Sequence, residues 1–214
     1  MTLRLAVPDG ALAAPSLALL AAAGAAPVTP GEHALDVAVA TVAADDVCAY
    51  LAAGAADAGL VTKDVLLERA SGLCELLDLR FGAALLVYAV APGAPRRLAR
   101  LGRLRVATRH PRLARSFLAG RGLQADVIEV AGGLERAVAD GLADAVVALA
   151  PPAVGGAPTA IGDLVVEGVV AESSVRLATG RAARVLRAAE LAALVGRLRV
   201  TLPDPHITAP KGET

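Results

Sequence analysis

Along this chain, short apolar runs rich in Val and Leu alternate with longer segments in which Leu and Ala recur at helical spacing. Leu3 to Val7 reads as a buried strand, broken by Pro8-Asp9-Gly10 before a helix that reaches about Ala23. Leu35 to Thr41 is a second strand, and Asp45 to Ala53 a helix with acids near its positive end. Ala58 to Val61 is a short strand, after which Thr62 is placed to cap a helix running to about Arg69. Leu73 to Leu79 and Ala83 to Val90 are further strands. Pro92-Gly93-Ala94-Pro95 is the clearest linker, and beyond it the alternation restarts. Strand Leu104 to Thr108 leads to helix Pro111 to Gly120, with Pro at an early position. Strand Ala125 to Val130, helix Leu134 to Asp140 behind Gly132-Gly133, and strand Ala143 to Leu149 follow. Pro151 to Pro158 has no periodicity. Asp163 to Val170 and Ser174 to Thr179 read as strands, and Arg181 to about Leu198 as the last helix, with Leu186, Leu191, Leu194 and Leu198 on its buried side.

Strands alternating with helices predict an α/β protein of mostly parallel sheet with flanking helices, and the central linker predicts two lobes. Such folds bind ligands at the carboxyl ends of strands and between lobes. The turns after Val7, Thr41, Val61, Thr108, Val130 and Leu149 are therefore the places to look for a site.

Composition narrows the function classes. The chain has 214 residues, with 21 Lys plus Arg against 21 Asp plus Glu. A balanced charge argues against nucleic acid or an anionic membrane, because neutralising phosphates needs a basic excess. Aromatic residues are 2% and Trp is absent, so base-stacking platforms are missing. Cys48 and Cys74 form neither a disulfide framework nor a metal motif, and His33, His110 and His206 are scattered singly, so no metal site is expected. The apolar stretch Ala11 to Val28 is too broken by Pro15, Gly24 and Pro27 for a membrane span, and its flank of Arg4 and Asp9 suits a signal peptide poorly. A cytoplasmic protein is expected.

Several of the candidate turns carry motifs. Ala56-Asp57-Ala58-Gly59-Leu60-Val61-Thr62-Lys63-Asp64-Val65-Leu66 resembles the A-D-[LA]-G-[IL]-V-G-K-D-V-L of the ATP phosphoribosyltransferases. Glu75-Leu76-Leu77-Asp78-Leu79-Arg80-Phe81-Gly82-Ala83 is similar to that family's E-L-L-D-L-x-F-G-A. Arg105 to Pro111, Gly141 to Val147 and the opening Val7-Pro8-Asp9-Gly10-Ala11-Leu12 match in the same order. The resemblance implies a fold like the type II periplasmic binding proteins, with lobe I over 1–91 and 173–214 and an inserted lobe II over 92–172. It also implies a short form without a C-terminal regulatory domain, an oligomer working with a subunit that resembles histidyl-tRNA synthetase. The implied reaction opens histidine biosynthesis. N1 of the adenine of ATP attacks C1 of phosphoribosyl pyrophosphate, pyrophosphate leaves, and Mg²⁺ arrives on the substrates.

Holding so many phosphates needs backbone N–H nests together with Lys and Arg. Candidate substrate contacts are Gly10, Asp57, Lys63, Arg109, Gly132, Gly133, Glu135, Gly155, Gly156 and Thr159; no catalytic residue is assigned. Each has a plainer reading. Asp57, Lys63 and Asp64 suit helix capping and a charge pair, Gly132-Gly133 a tight turn, and Gly155 to Thr159 an irregular loop. Arg109, Arg112 and Arg115 surround a helix start and equally suit a solvated face. The chain departs from the family pattern at Asp9, Ala11, Thr41, Leu85 and Ala148, where the family has Lys, Arg, Arg, Arg and Asp. The family's T-G-x-T turn is replaced by a segment containing Pro151 and Pro152, which lack N–H donors. Two functions therefore stay open: a working transferase subunit, or a noncatalytic relative serving as small-molecule sensor or regulatory subunit. An extracellular solute receptor shares the fold and ranks third.

Overall fold

The computed structural model describes residues 2–25, 35–69, 72–93, 104–153 and 156–202. The chain divides into two compact units, Met1–Val61 with Ala70–Phe81 and Val175–Thr214, and Thr62–Arg69 with Gly82–Ser174. Each is built on its own sheet.

The first unit holds β1 (Leu3–Pro8), β2 (Val37–Val42), β3 (Ala58–Thr62), β4 (Cys74–Asp78) and β11 (Val175–Thr179), in the order β2-β1-β3-β11-β4. Strand β1 runs parallel to both β2 and β3, with Leu3 opposite Val37 and Leu5 opposite Ala58. β11 and β4 are antiparallel. Helices α1 (Ala13–Ala22), α2 (Val47–Ala52), α6 (Arg181–Leu186) and α7 (Ala188–Thr201) belong to the same unit. Leu3, Leu5 and Val7 of β1 meet Leu20, Leu60, Leu177, Leu191, Leu194 and Leu198 in one buried cluster.

The second unit contains α3 (Lys63–Arg69), β5 (Ala84–Val90), β6 (Leu104–Thr108), α4 (Pro111–Gly120), β7 (Ala125–Glu129), α5 (Leu134–Ala139), β8 (Ala145–Ala150), β9 (Ala160–Ile161) and β10 (Leu164–Ser173). Its strand order is β7-β6-β8-β5-β10-β9. Both faces are covered. Leu86, Tyr88, Val106 and Val147 face Ala114 and Leu118 of α4, while Ala89, Ala107, Val146 and Ala148 face Ala137 of α5. Burial on two faces explains why these strands read as unbroken apolar runs rather than alternating ones.

The sheets are more mixed than the alternation of elements predicts. Parallel pairing holds where a helix makes the crossover, as in β6 with β7 and β8. β5 and β10 run antiparallel to their neighbours because they carry the chain into and out of the unit, without a crossover helix on the same sheet. For the same reason Ala83 to Val90, grouped with lobe I by its place before the linker, forms β5 of the second sheet. α3 packs against β10 and α4. The expected single C-terminal helix is two helices that break at Arg187, where φ is −120° and ψ 27°. The break resets the helical phase, so Leu191, Leu194 and Leu198 are buried and Leu186 is 79% exposed.

Candidate functional site

The chemistry converges at the carboxyl ends of β6, β7 and β8. Thr108 closes β6 with its side chain fully buried; its hydroxyl donates to the Val147 carbonyl at 2.7 Å and accepts from the His110 amide at 2.9 Å. That pair of bonds turns the chain outward and leaves Arg109 exposed and His110 buried at the start of α4, with Pro111 in the first helical position. After β7, Gly132 and Gly133 lead into α5, with Gly133 in the left-handed conformation. Arg109, His110, Gly132, Gly133, Glu135, Arg136, Ala148, Leu149 and Ile161 are among the residues lining one pocket of about 470 Å³. Glu135 reaches back over the β9–β10 turn. The carboxylate end of Glu135 lies beside Gly162, which has a φ of 51° that glycine adopts without strain.

Of the residues singled out from sequence, Arg109, Gly132, Gly133 and Glu135 are thus brought together. Others lie elsewhere. Gly10 opens a short 3-10 turn after β1 in the first unit. Asp57 sits at the amino end of β3, where its carboxylate accepts from the Arg4 amide at 2.9 Å and from the Arg4 guanidinium at 2.8 Å. Burial alone would raise the carboxyl's pKa, but the hydrogen bonds and charge of Arg4, helped by Arg187, hold it below the ordinary value. Lys63 is half-buried at the first position of α3, its amide donating to the Ser174 carbonyl at 3.0 Å. Gly155 lies outside the described residues. The Gly156 amide donates to the Ala153 carbonyl at 3.1 Å, while the Thr159 carbonyl accepts from Val166 at 2.9 Å. Nor does the start of α4 present free amides, since the Glu68 carboxylate accepts from Arg112 and Leu113 at 2.8 and 3.0 Å.

Sequence reasoning missed the buried network behind the pocket. Asp64, 2% exposed, accepts from His110 Nε2 at 2.8 Å and from the Ser173 hydroxyl at 2.5 Å, and its own amide donates to Ser173 Oγ at 3.1 Å. Desolvation pushes the Asp64 carboxyl up, but hydrogen bonds from His110, Ser173 and Thr62 outweigh it and keep it below the ordinary 3.8. Ser173 is 109 residues from Asp64 and His110 is 46 away, so no local spacing signals the cluster. A Thr-Lys-Asp sequence at a strand-to-helix turn was the one visible hint. Among the described residues, no three His, Cys, Asp or Glu side chains gather in a way that could hold a metal, and no helix is long and apolar enough to cross a membrane.

Comparisons with known proteins extend this picture. Residues 43–200 match the sequence model of a family described as ATP phosphoribosyltransferase. An ATP phosphoribosyltransferase of Deinococcus radiodurans is 38% identical over 99% of this chain and 93% of its own length. Among solved structures, the ATP phosphoribosyl transferase (HisG:HisZ) complex from Thermotoga maritima is similar, with a TM-score of 0.75 and 21% identity over 93% of this chain and 98% of that one. The periplasmic VFT2 domain of BvgS from Bordetella pertussis shares the fold, with a TM-score of 0.57 and 21% identity over 94% of this chain and 88% of that domain.

Proposed function

Because the chain belongs to the ATP phosphoribosyltransferase family, we propose that it makes phosphoribosyl-ATP and pyrophosphate from ATP and phosphoribosyl pyrophosphate, the first step of histidine biosynthesis. One observation supports the reading: the pocket at the carboxyl ends of β6 to β8 gathers Arg109 from one strand-to-helix turn and Gly132, Gly133 and Glu135 from the next. In the second unit, that edge is where a doubly covered sheet offers backbone and side chains to a ligand.

The adenine N1 lone pair attacks C1 of the ribose as the bond from C1 to the pyrophosphate oxygen breaks. Negative charge grows on the departing pyrophosphate, and Arg109 on the pocket wall supplies a cation to offset it; Arg136, on the same wall, is paired with Asp140 at 2.8 Å. Mg²⁺ travelling on the pyrophosphate needs few protein ligands, because phosphate oxygens and waters fill most of its octahedron. Glu135, the carboxylate of the pocket lining, suits such an ion. A regulatory subunit resembling histidyl-tRNA synthetase completes the proposed assembly, in keeping with the two-component complex from Thermotoga maritima.

A second reading, a noncatalytic relative that binds a small molecule, is favoured by two features. Ala148 offers the pocket no acid at the end of β8, and the Gly156 amide is already engaged by the Ala153 carbonyl. One assay separates the two. Mixed with the synthetase-like subunit, ATP, Mg²⁺ and phosphoribosyl pyrophosphate, the protein is expected to accumulate phosphoribosyl-ATP. Absence of product alongside retained nucleotide binding by calorimetry would transfer the assignment to the noncatalytic role.

A further inference from the structure

His110 has one ring nitrogen accounted for and one not. Its Nε2 lies 2.8 Å from Asp64 Oδ2, and an ionised carboxylate only accepts, so Nε2 carries the hydrogen. In the neutral ring Nδ1 is then a bare lone pair. It is buried and has no hydrogen-bond partner, although the side chain is only 8% exposed and a satisfied core histidine would have found one. The same residue lines the pocket. Across that lining, only Glu135 and His110 carry a side-chain acceptor, and Ala148 beside them carries none. The ring is also held against rotation from behind, because Ser173 donates to the other Asp64 oxygen at 2.5 Å.

We propose that Nδ1 of His110 is the pocket's acceptor for a sugar hydroxyl, gripping the ribose of the phosphoribosyl donor. The claim rests on the transferase reading above, and it names a residue for that ligand. Asp64 acts as a positioning residue that fixes the tautomer and the ring plane. Nδ1 is buried in the free protein, so the contact forms only in the complex. A hydroxyl that meets this lone pair satisfies the one polar atom of the network that the fold leaves unmatched, whereas a phosphate, which only accepts, gains nothing from it.

Two substitutions divide the ring's functions. His110→Gln keeps a donor where Nε2 stands, and with it the Asp64 contact, but has no atom in place of Nδ1. His110→Asn sets an amide oxygen near Nδ1 and gives up Asp64. Calorimetric titration of each with phosphoribosyl pyrophosphate and with inorganic pyrophosphate, the second lacking any sugar hydroxyl, reads the contact directly. In H110Q the expectation is a melting temperature close to wild type, about tenfold weaker binding of phosphoribosyl pyrophosphate, and pyrophosphate affinity changed less than about twofold. In wild type labelled with ¹⁵N-histidine, the Nδ1 resonance should shift on adding phosphoribosyl pyrophosphate but not pyrophosphate. Equal losses for both ligands, or none for either, would overturn the assignment while leaving the transferase reading intact. A wild type that binds neither ligand even when mixed with the synthetase-like subunit would sink both.

Discussion

At the scale of single residues, the strongest energetic statement concerns Asp64. Its carboxylate is buried and satisfies His110, Ser173 and Thr62 together, so removing it strands several polar groups at once. Asp64→Ala is expected to cost about 3–5 kcal/mol, the range for breaking one side of a buried pair. Thermal or urea unfolding measures this, and a loss below about 1 kcal/mol would mean that the network is solvated in solution. Asp57 shows how the same residue type is used differently. The sequence placed it in a motif and therefore near a ligand, whereas its bonds to Arg4 tie β1 to the loop before β3. Motif membership was legible, and so was the start of the strand at Ala58, but the pairing with Arg4, 53 residues away, was not.

At the scale of elements, the two sheets repeat one device. Arg4 on β1 takes Asp57 and the Gly54 carbonyl, and Arg105 on β6 takes Asp144 and the Gly141 carbonyl, with matching contacts to the carboxylate and all distances near 3 Å. Leu3-Arg4-Leu5-Ala6-Val7 and Leu104-Arg105-Val106-Ala107-Thr108 carry the repeat in the sequence, where the surrounding Ala-rich composition hides it. The Ala-Gly-Leu-Val core of the best motif has a packing reason of its own. A Cβ on Gly59 would lie 2.8 Å from Val47 Cγ1, so β3 and α2 approach as closely as they do only with glycine there. The C-terminal helices supply the sharpest element-level test, because heptad-like Leu spacing predicts burial for Leu186 and Leu194 alike. With Leu194 fully buried and Leu186 mostly exposed, Leu194→Ala should cost about 2–5 kcal/mol and Leu186→Ala no more than about 0.5 kcal/mol. Equal losses in urea melts would mean that the two helices are one in solution.

For the whole molecule, acid stability follows from the two carboxylates buried among the described residues. Asp57 and Asp64 both have folded-state pKa values below the ordinary one, the first through Arg4 and the second through the His110 network, each against an opposing burial effect. A depressed value means that the folded state binds fewer protons than the unfolded chain, so the contribution is complete above about pH 4 and is lost as pH falls through the lower folded values. Urea midpoints should therefore stay level from neutral pH down to about pH 5 and fall steeply below about pH 4. Asp57→Asn should lower the neutral-pH midpoint and make the acid limb shallower, since Asn has no proton to take up. An acid limb as steep as wild type would show that Asp57 does not contribute.

Fold class, family and most element positions were set by the sequence alone, because apolar periodicity, Gly and Pro punctuation and local motifs act over a few residues and need no partner to be read. Arg109, Gly132, Gly133 and Glu135 were within reach for the same reason: each lies at a strand-to-helix turn. Tertiary structure alone decided that these four share one pocket, that β5 joins the second sheet, and that His110 meets Asp64 and Ser173. Those outcomes depend on sheet order and on pairings between residues far apart in the chain, which follow from how the elements pack and not from the residues beside them.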